Sequence, residues 1–323
     1  MKKFLGGLAV ISMASLALAG CASNPGTEAT GGDDLITVGF AQTGSESGWR
    51  SANTESMKAA FSEENGFNLV FNAADNKPEA QIAAVRSFIN QGVDAIVIAP
   101  IVVDGWDDVL NEAKDAGIPV ILEDRTVSAS EDLYASWIGL DFEQEGRTAG
   151  EWVVENFGDE GANLVILEGT TGSSAALDRA TGFADAIAGS NITILDSQTG
   201  NFTRADGKTV MEGFLQKYGS DIDLLFAHND DMGLGALDAI KAAGLEPGVD
   251  IKIVTIDAVR DGMQALANGE FNFIVECNPI LGEKVAEVVK AVLAGESVEK
   301  SIIVPDGAFT QEDAIELLPT RPY

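Results

Sequence analysis

"PEAQIAAVRSFINQGVDAIVIAP", Pro78 to Pro100, sets a helical period directly against a strand-like run. A proline near the first turn suits a helix start, because its missing N–H would have no partner there anyway. The periodicity predicts a helix over Pro78 to Gln91. "DAIVIAP" then runs apolar without alternation, as in a strand covered on both faces. The same unit recurs along the chain. "LITVGFA" leads to a helix from Trp49 to Glu64, and "FNLVFNA" leads to the helix at Pro78. "DAIVIAP" leads to Trp106 to Ala116, and "IPVILEDR" closes that set. "SWIGLD" precedes Phe142 to Phe157, "NLVILEG" precedes Ser174 to Ile187, and "ITILDSQTG" precedes Arg204 to Tyr218. "DLLFAHN" precedes Met232 to Ala243, "IKIVTID" precedes Val259 to Asn268, and "NFIVECN" precedes Leu281 to Ala294. "SIIVP" is a last strand-like run.

This alternation predicts an α/β fold of doubly wound parallel sheets. Ten or more strands over 323 residues predict two such domains. The break falls near Asp124 to Ile138, where two strand-like runs flank a polar "TVSASEDLYA" without a helix.

The charge is one-sided, with 20 Lys+Arg against 51 Asp+Glu and a net −31. Such a field repels phosphate backbones, which argues against nucleic acid, and favours neutral or cationic ligands. "MKKFLGGLAVISMASLALAG", residues 1–20, reads as a secretory signal peptide, too short for a spanning helix. "LAGC" resembles a bacterial lipobox, which implies a lipidated Cys21 and cleavage before it. Residues 21–34 then read as a lipidated cysteine on a flexible Gly/Ser/Thr tether. With Cys21 acylated, Cys277 has no partner for an intrachain disulfide and reads as a small buried hydrophobe.

In open α/β sheets the binding crevice lies beyond the carboxyl ends of the strands. Those positions hold Glu46, Trp49 and Arg50; Asp104 and Trp106; Asp124 and Arg125; Arg179; Asn201, Phe202 and Arg204; Asn229, Asp230 and Asp231; Asp257; and Glu276 with Asn278. Carboxylates, amides, guanidinia and aromatics at most exits describe a cleft of fixed polar groups with aromatic walls. Aromatic faces stack on the C–H faces of sugars, while Asp, Asn and Arg bond hydroxyls. Asp230 can equally cap the helix that follows. Catalytic alternatives find less support. The one histidine, His228, has no second His or thiol cluster for a transition metal. No nucleophile elbow, Walker loop or dinucleotide fingerprint is present. A carboxylate pair from Glu46 with Asp124 or Asp257 leaves glycoside chemistry open. No metal and no cofactor are expected.

The motifs "GSESGWR", "QIAAVRSFINQGVDAIVIAP", "PVILEDR", "LEGTTGSSAALDRATGF", "AHNDDMGLGA", "IDAVRDG" and "VECNP" cover the chain from about Ile36 onward. In these the chain resembles the sugar-binding lipoproteins of ABC transporters, in the ribose/galactose-type periplasmic binding protein superfamily. The likeness is greatest to the galactofuranose-binding branch and its fructose-binding relatives. The resemblance implies a three-crossing hinge near Ile138–Leu140, Val275–Glu276 and Val304. It implies an N-terminal sugar-binding domain of 35–138 plus 276–303, and a C-terminal one of 139–275 plus 304–323. Its ligand contacts carry over to Trp49, Arg50, Asp124, Arg125, Arg179, Phe202, Asn229, Asp257 and Glu276, with Glu46, Asp104 and Trp106 beside them. The ribose branch has a second aromatic where Arg50 stands and commonly an amide near Glu276, so ribose is disfavoured. The implied function is capture of a monosaccharide, galactofuranose-like or a fructose or pentose, by a non-enzymatic extracytoplasmic receptor. That receptor would be a monomer held to the cell membrane only by its lipid, delivering sugar to an ABC permease and its ATPase subunits. A sugar sensor for chemotaxis or a kinase is the alternative; a sugar-acting enzyme is a third class. A sugar-responsive repressor would need a helix-turn-helix where the signal and tether stand.

Overall fold

The computed structural model describes Leu35–Tyr323, so the expected signal peptide, Cys21 and the expected tether lie outside the described residues. Two six-stranded sheets form the framework. The first contains β1 (Ile36–Gln42), β2 (Phe67–Ala73), β3 (Ala95–Ile98), β4 (Val120–Asp124), β5 (Ser136–Gly139) and β11 (Ser301–Ile303), in the order β11-β5-β4-β3-β1-β2. All its pairings are parallel. The second contains β6 (Ala162–Glu168), β7 (Ile192–Thr199), β8 (Leu224–Ala227), β9 (Lys252–Asp257), β10 (Phe273–Glu276) and β12 (Ala308–Phe309), in the order β12-β10-β9-β8-β6-β7. Here only the edge strand β12 runs antiparallel, against β10. The chain passes from the first sheet to the second after β5, returns after β10, and passes over again after β11.

Helices α1 (Gly48–Ala60), α2 (Pro78–Gln91), α3 (Asp107–Asp115) and α9 (Gly282–Leu293) connect or accompany the first sheet. Helices α4 (Phe142–Phe157), α5 (Ser174–Ile187), α6 (Arg204–Tyr218), α7 (Asp230–Ala242), α8 (Arg260–Ala267) and α10 (Gln311–Leu317) belong with the second. The expected bounds of α2, α4, α5 and α6 hold as read. Helix α1 ends early at Ala60, and a 3-10 turn at Glu63–Asn65 takes the rest of that stretch. Helix α10 escaped the sequence reading, because seven residues are too few to display a helical period. Its local signal is the capping box between Thr310 and Asp313.

The unbroken apolar runs have a direct cause. Along β3, Ala95 and Val97 pack into one core cluster while Ile96 and Ile98 pack into another, on the opposite face. Each such buried Ile or Val contributes about 1.5–3 kcal/mol relative to exposure.

Candidate functional site

Ser47 caps α1, its Oγ accepting the Arg50 N–H at 3.1 Å. Trp49 and Arg50 therefore stand in the first helical turn, just past the end of β1. Arg50 is 1 % exposed. Its Nη2 donates to Asp124 Oδ2 at 2.6 Å, its Nε to Glu46 Oε1 at 3.1 Å, and its Nη1 to Asn53 Oδ1 at 3.3 Å. The Arg125 guanidinium lies 3.7 Å from Asp124 and 4.0 Å from Glu46. Two cations and two carboxylates thus neutralise each other away from water. Burial works against the charge on Arg50, but Asp124, Glu46 and Glu123 outweigh it and hold the guanidinium above its usual range. Burial raises the Glu46 carboxyl, and the Arg50 and Arg125 charges reverse this and hold it low. Arg125 itself is pushed down, by burial and then by Arg50. Behind the quartet, burial and Asp124 push Glu123 up to about 8, and Asn53 donates to it.

The second lobe supplies Arg179 from α5. Its Nε donates to Glu145 Oε2 at 2.7 Å and its Nη1 to the His228 carbonyl at 2.6 Å, and its Nη2 lies 4.0 Å from Asp257 Oδ1. Burial lifts Glu145 to about 7 despite that guanidinium. Burial likewise lifts Asp257 well above the carboxylate range, with Arg179 opposing. The Phe202 ring sits between Arg125, 5.1 Å from its centroid, and Arg179, at 5.9 Å. Gly169 makes room for that ring, because a Cβ there would fall 1.9 Å from Phe202 Cζ. Asn229, not Asp230, caps α7 by accepting the Met232 N–H, and its amide donates to the Phe202 carbonyl. Asp230 is instead buried under Thr255 and the Val259 N–H.

These side chains bound one small cavity between the lobes, with about 20 Å³ of free space in this closed arrangement. Trp49, Arg50, Glu46, Asp124 and Arg125 line it from the first lobe, and Arg179, Phe202, Asn229 and Asp257 from the second. The lobes meet around it. The Gly48 N–H donates to Asp231 Oδ2 at 2.7 Å, the Val103 N–H to the Gly172 carbonyl at 2.9 Å, and the Thr126 N–H to Ser174 Oγ at 3.1 Å. Three lining residues adopt positive φ: Asp124 at 61°, Phe202 at 62° and Asp257 at 131°. For residues with side chains this stores about 1–3 kcal/mol each and gathers where function requires it. Five buried side-chain polar atoms have no hydrogen-bond partner among the described residues, and two of them belong to residues lining the cavity, Arg125 Nε in the first lobe and Asp257 Oδ2 in the second; the others are Glu123 Oε2, Glu145 Oε1 and His228 Nε2. A donor and an acceptor left open in a closed cavity, beside aromatic walls, fit a small polyhydroxylated molecule.

Three expected contacts stand elsewhere. Asp104 accepts from the Ser128 hydroxyl at 2.7 Å on the surface. Trp106 is 1 % exposed in the apolar core of the first lobe, its indole donating to the Val102 carbonyl. Glu276 is taken up by Arg321, Tyr323 and the Gly307 N–H. Conversely, Ser47, Phe142, Ala175 and Cys277 line the cavity without having been singled out for it. Ser47 had a signal, its place as an N-cap before Trp49. Cys277 is buried as expected, and its carbonyl accepts the Trp49 indole N–H at 2.6 Å.

The chain matches the periplasmic binding protein domain family over residues 38–297. It is 49 % identical to the galactofuranose-binding protein YtfQ of Escherichia coli (strain K12), covering 76 % of this chain and 78 % of that protein. It is 40 % identical to the fructose import binding protein FruE of Bifidobacterium longum (strain NCC 2705) over all of both chains. A Mycobacterium smegmatis protein crystallised with β-D-fucofuranose superposes with a TM-score of 0.86 at 56 % identity, covering 90 % of this chain and 96 % of that one. The binding protein of the arabinose ABC transporter from Shewanella sp. ANA-3, bound to α- and β-L-arabinofuranose, gives 0.85 at 46 % identity, covering 88 % and 95 %. With two doubly wound lobes enclosing one polar cavity, and this family matched along most of its length, the chain belongs to the periplasmic binding protein domain family.

Proposed function

We propose that the protein is the solute-binding component of an ABC sugar importer and that it closes its two lobes around one monosaccharide in furanose form. The observation that carries this is the pair of open buried polar atoms, Arg125 Nε and Asp257 Oδ2, facing one cavity from opposite lobes. A sugar hydroxyl is donor and acceptor at once, and so can satisfy both. The relatives bound to a fucofuranose and an arabinofuranose, and the galactofuranose-binding protein, support the five-membered ring. The sugar contacts in this reading are Trp49, Arg50, Glu46, Asp124, Arg125, Arg179, Phe202, Asn229 and Asp257. The lobes are 35–138 with 276–303, and 139–275 with 304–323, hinged where the chain crosses between them. The role is binding and delivery rather than catalysis.

Calorimetric titration with galactose, fructose, arabinose, ribose and xylose tests this. The carbon-13 shift of the labelled anomeric carbon in the bound sugar reads its ring form. Tight binding of one of these as furanose is the expected result; a bound pyranose overturns the ring assignment, and no binding by any sugar overturns the reading. The lipid anchor on Cys21 belongs to the same proposal. Replacing Cys21 by Ala should free the chain from the membrane fraction without changing its affinity for sugar, and retention there would count against the anchor.

A further inference from the structure

Asp257 and Ala258 form a strained turn. They follow β9 with φ values of 131° and 62°. This turn aims the Asp257 carboxylate at the cavity and then starts α8. Three hydrogen bonds hold its backbone. The Cys277 N–H donates to the Asp257 carbonyl at 3.2 Å, and the Val259 N–H donates to Asp230 Oδ2 at 2.9 Å. The third comes from far along the sequence, where Arg321 Nε donates to the Ala258 carbonyl at 2.8 Å.

Arg321 does not line the cavity. Its Nη2 lies 2.7 Å from Glu276 Oε1 and donates to the Tyr323 hydroxyl at 2.7 Å. That hydroxyl donates to the same Glu276 oxygen at 2.8 Å. Glu276 Oε2 accepts the Gly307 N–H at 2.9 Å. The guanidinium stacks on the Tyr323 ring at 4.2 Å and the Phe309 ring at 5.3 Å, and is 8 % exposed. Arg260 in turn donates to the Leu318 and Arg321 carbonyls. Glu276 ends β10, where the chain leaves the second sheet for the first lobe. One planar fork therefore joins the strained turn to a crossing strand, and only a guanidinium has donors spaced for both.

We propose that Arg321 is a positioning residue for ligand binding: it holds the Asp257–Ala258 turn in its strained form, and so fixes the Asp257 carboxylate in the cavity. The proposal rests on the reading of that cavity as a monosaccharide site. A strained backbone persists only where its surroundings over-determine it, so loss of the Ala258 grip lets the turn relax and the carboxylate turn away. The charged and titratable groups facing that carboxylate are Arg179, Asp230, Asp231 and Glu145, together with the Cys277 thiol.

The test uses Arg321→Met, Arg321→Lys, Asp257→Asn and the double variant Arg321→Met with Asp257→Asn. Each is followed by calorimetry with the best sugar and by thermal melting. The Asp257 side-chain carboxyl is followed by carbon-13 titration in sugar-free protein, with Asp257→Asn identifying its signal. Arg321→Met should weaken binding by about 10-fold, a loss of about 1.4 kcal/mol, and Arg321→Lys should recover only part of it. In the Asp257→Asn background the further loss should shrink to about twofold or less, as for residues acting as one unit. Sugar-free Arg321→Met should titrate Asp257 nearer the ordinary carboxylate range. Unchanged affinity with an unchanged Asp257 titration in folded Arg321→Met overturns the proposal, as does a full 10-fold loss that persists without Asp257. If no sugar binds the unaltered protein, the functional reading fails while the Asp257 titration still decides the positioning role. If Arg321→Met fails to fold, Tyr323→Phe removes one hydroxyl from the fork. It should shift the Asp257 titration in the same direction and weaken binding by about threefold; no change in either overturns the proposal.

Discussion

The two halves of the cavity solve the burial of charge differently. In the first lobe Arg50, Arg125, Glu46 and Asp124 brace one another, with ion pairs of 2.6 and 3.1 Å, and leave only Arg125 Nε of their number open. In the second, Arg179 turns its short contacts outward, to Glu145 and the His228 carbonyl, and stands 4.0 Å from Asp257. The first half is rigid before anything binds, because each charge fixes its neighbour. The second half holds a carboxylate with one oxygen open, aimed by a strained backbone rather than by a partner. The contrast teaches that buried charge in this cleft serves two ends: mutual support on one side, readiness for a ligand on the other.

Removing Arg50 should break the first half most severely. Arg50→Met leaves Glu46 and Asp124 buried with less compensation, a loss of about 3–5 kcal/mol of stability, read by denaturant unfolding of the sugar-free protein. Near-native stability would mean that the quartet is not the support its geometry indicates. Asp257→Asn should sharpen the comparison from the other side. It should weaken sugar binding by about 1.5–3 kcal/mol, roughly 10- to 150-fold, while leaving unfolding unchanged or later, because it relieves a buried carboxyl. A destabilised fold with native affinity would reverse the roles of the halves.

Stability against pH distinguishes them further. Burial raises Glu145 to about 7, Asp230 to about 7 and Asp306 to about 8, all beside or behind the second half, and Glu123 to about 8 behind the first. The folded chain keeps these protons where the unfolded chain has released them. Their contribution is therefore fully present below the ordinary carboxylate range and is lost as pH rises through the folded values. The sugar-free melting temperature should fall by a few degrees between about pH 5 and 8. A rise over that range would count against neutral buried carboxyls. Trp49→Phe should cost less, about 1 kcal/mol, through loss of the indole bond to the Cys277 carbonyl. Trp49 is 5 % exposed and packs with the core, so it supports the fold as well as lining the cavity. Asp104→Asn should do least, with affinity within about twofold of native in the same titration, because its carboxylate faces Ser128 at the surface.

What the sequence disclosed follows from how α/β chains are written. Strand exits are marked by the end of an apolar run, and Asp124 and Asp257 end theirs. Arg50 and Trp49 are marked by their place side by side at a helix start just past the first strand. Other features carry no such mark. Cys277 enters the site as a backbone carbonyl as well as a lining residue, and a carbonyl acceptor has no residue identity to read. Trp106 follows an exit as faithfully as Trp49 does, but the loop after β3 folds it back onto the core. Glu276 ends β10 beside Asp257 in register, yet its oxygens go to Arg321, Tyr323 and Gly307, partners 31 to 47 positions away. Local pattern is silent about pairings of that kind.

The strand order carries a consequence for the nascent chain. Each sheet draws its sixth strand from beyond residue 300: β11 completes the first beside β5, and β12 the second beside β10. Until residues 301–309 emerge, β5 and β10 each present an unpaired edge, with the crossing between the sheets still incomplete. Loop closure over such separations is slow, so neither lobe can mature as an independent early product of synthesis. Both sheets stay unfinished until residues 301–309 have been made, which keeps the polypeptide threadable until then and makes copies lacking those residues prone to edge-to-edge aggregation.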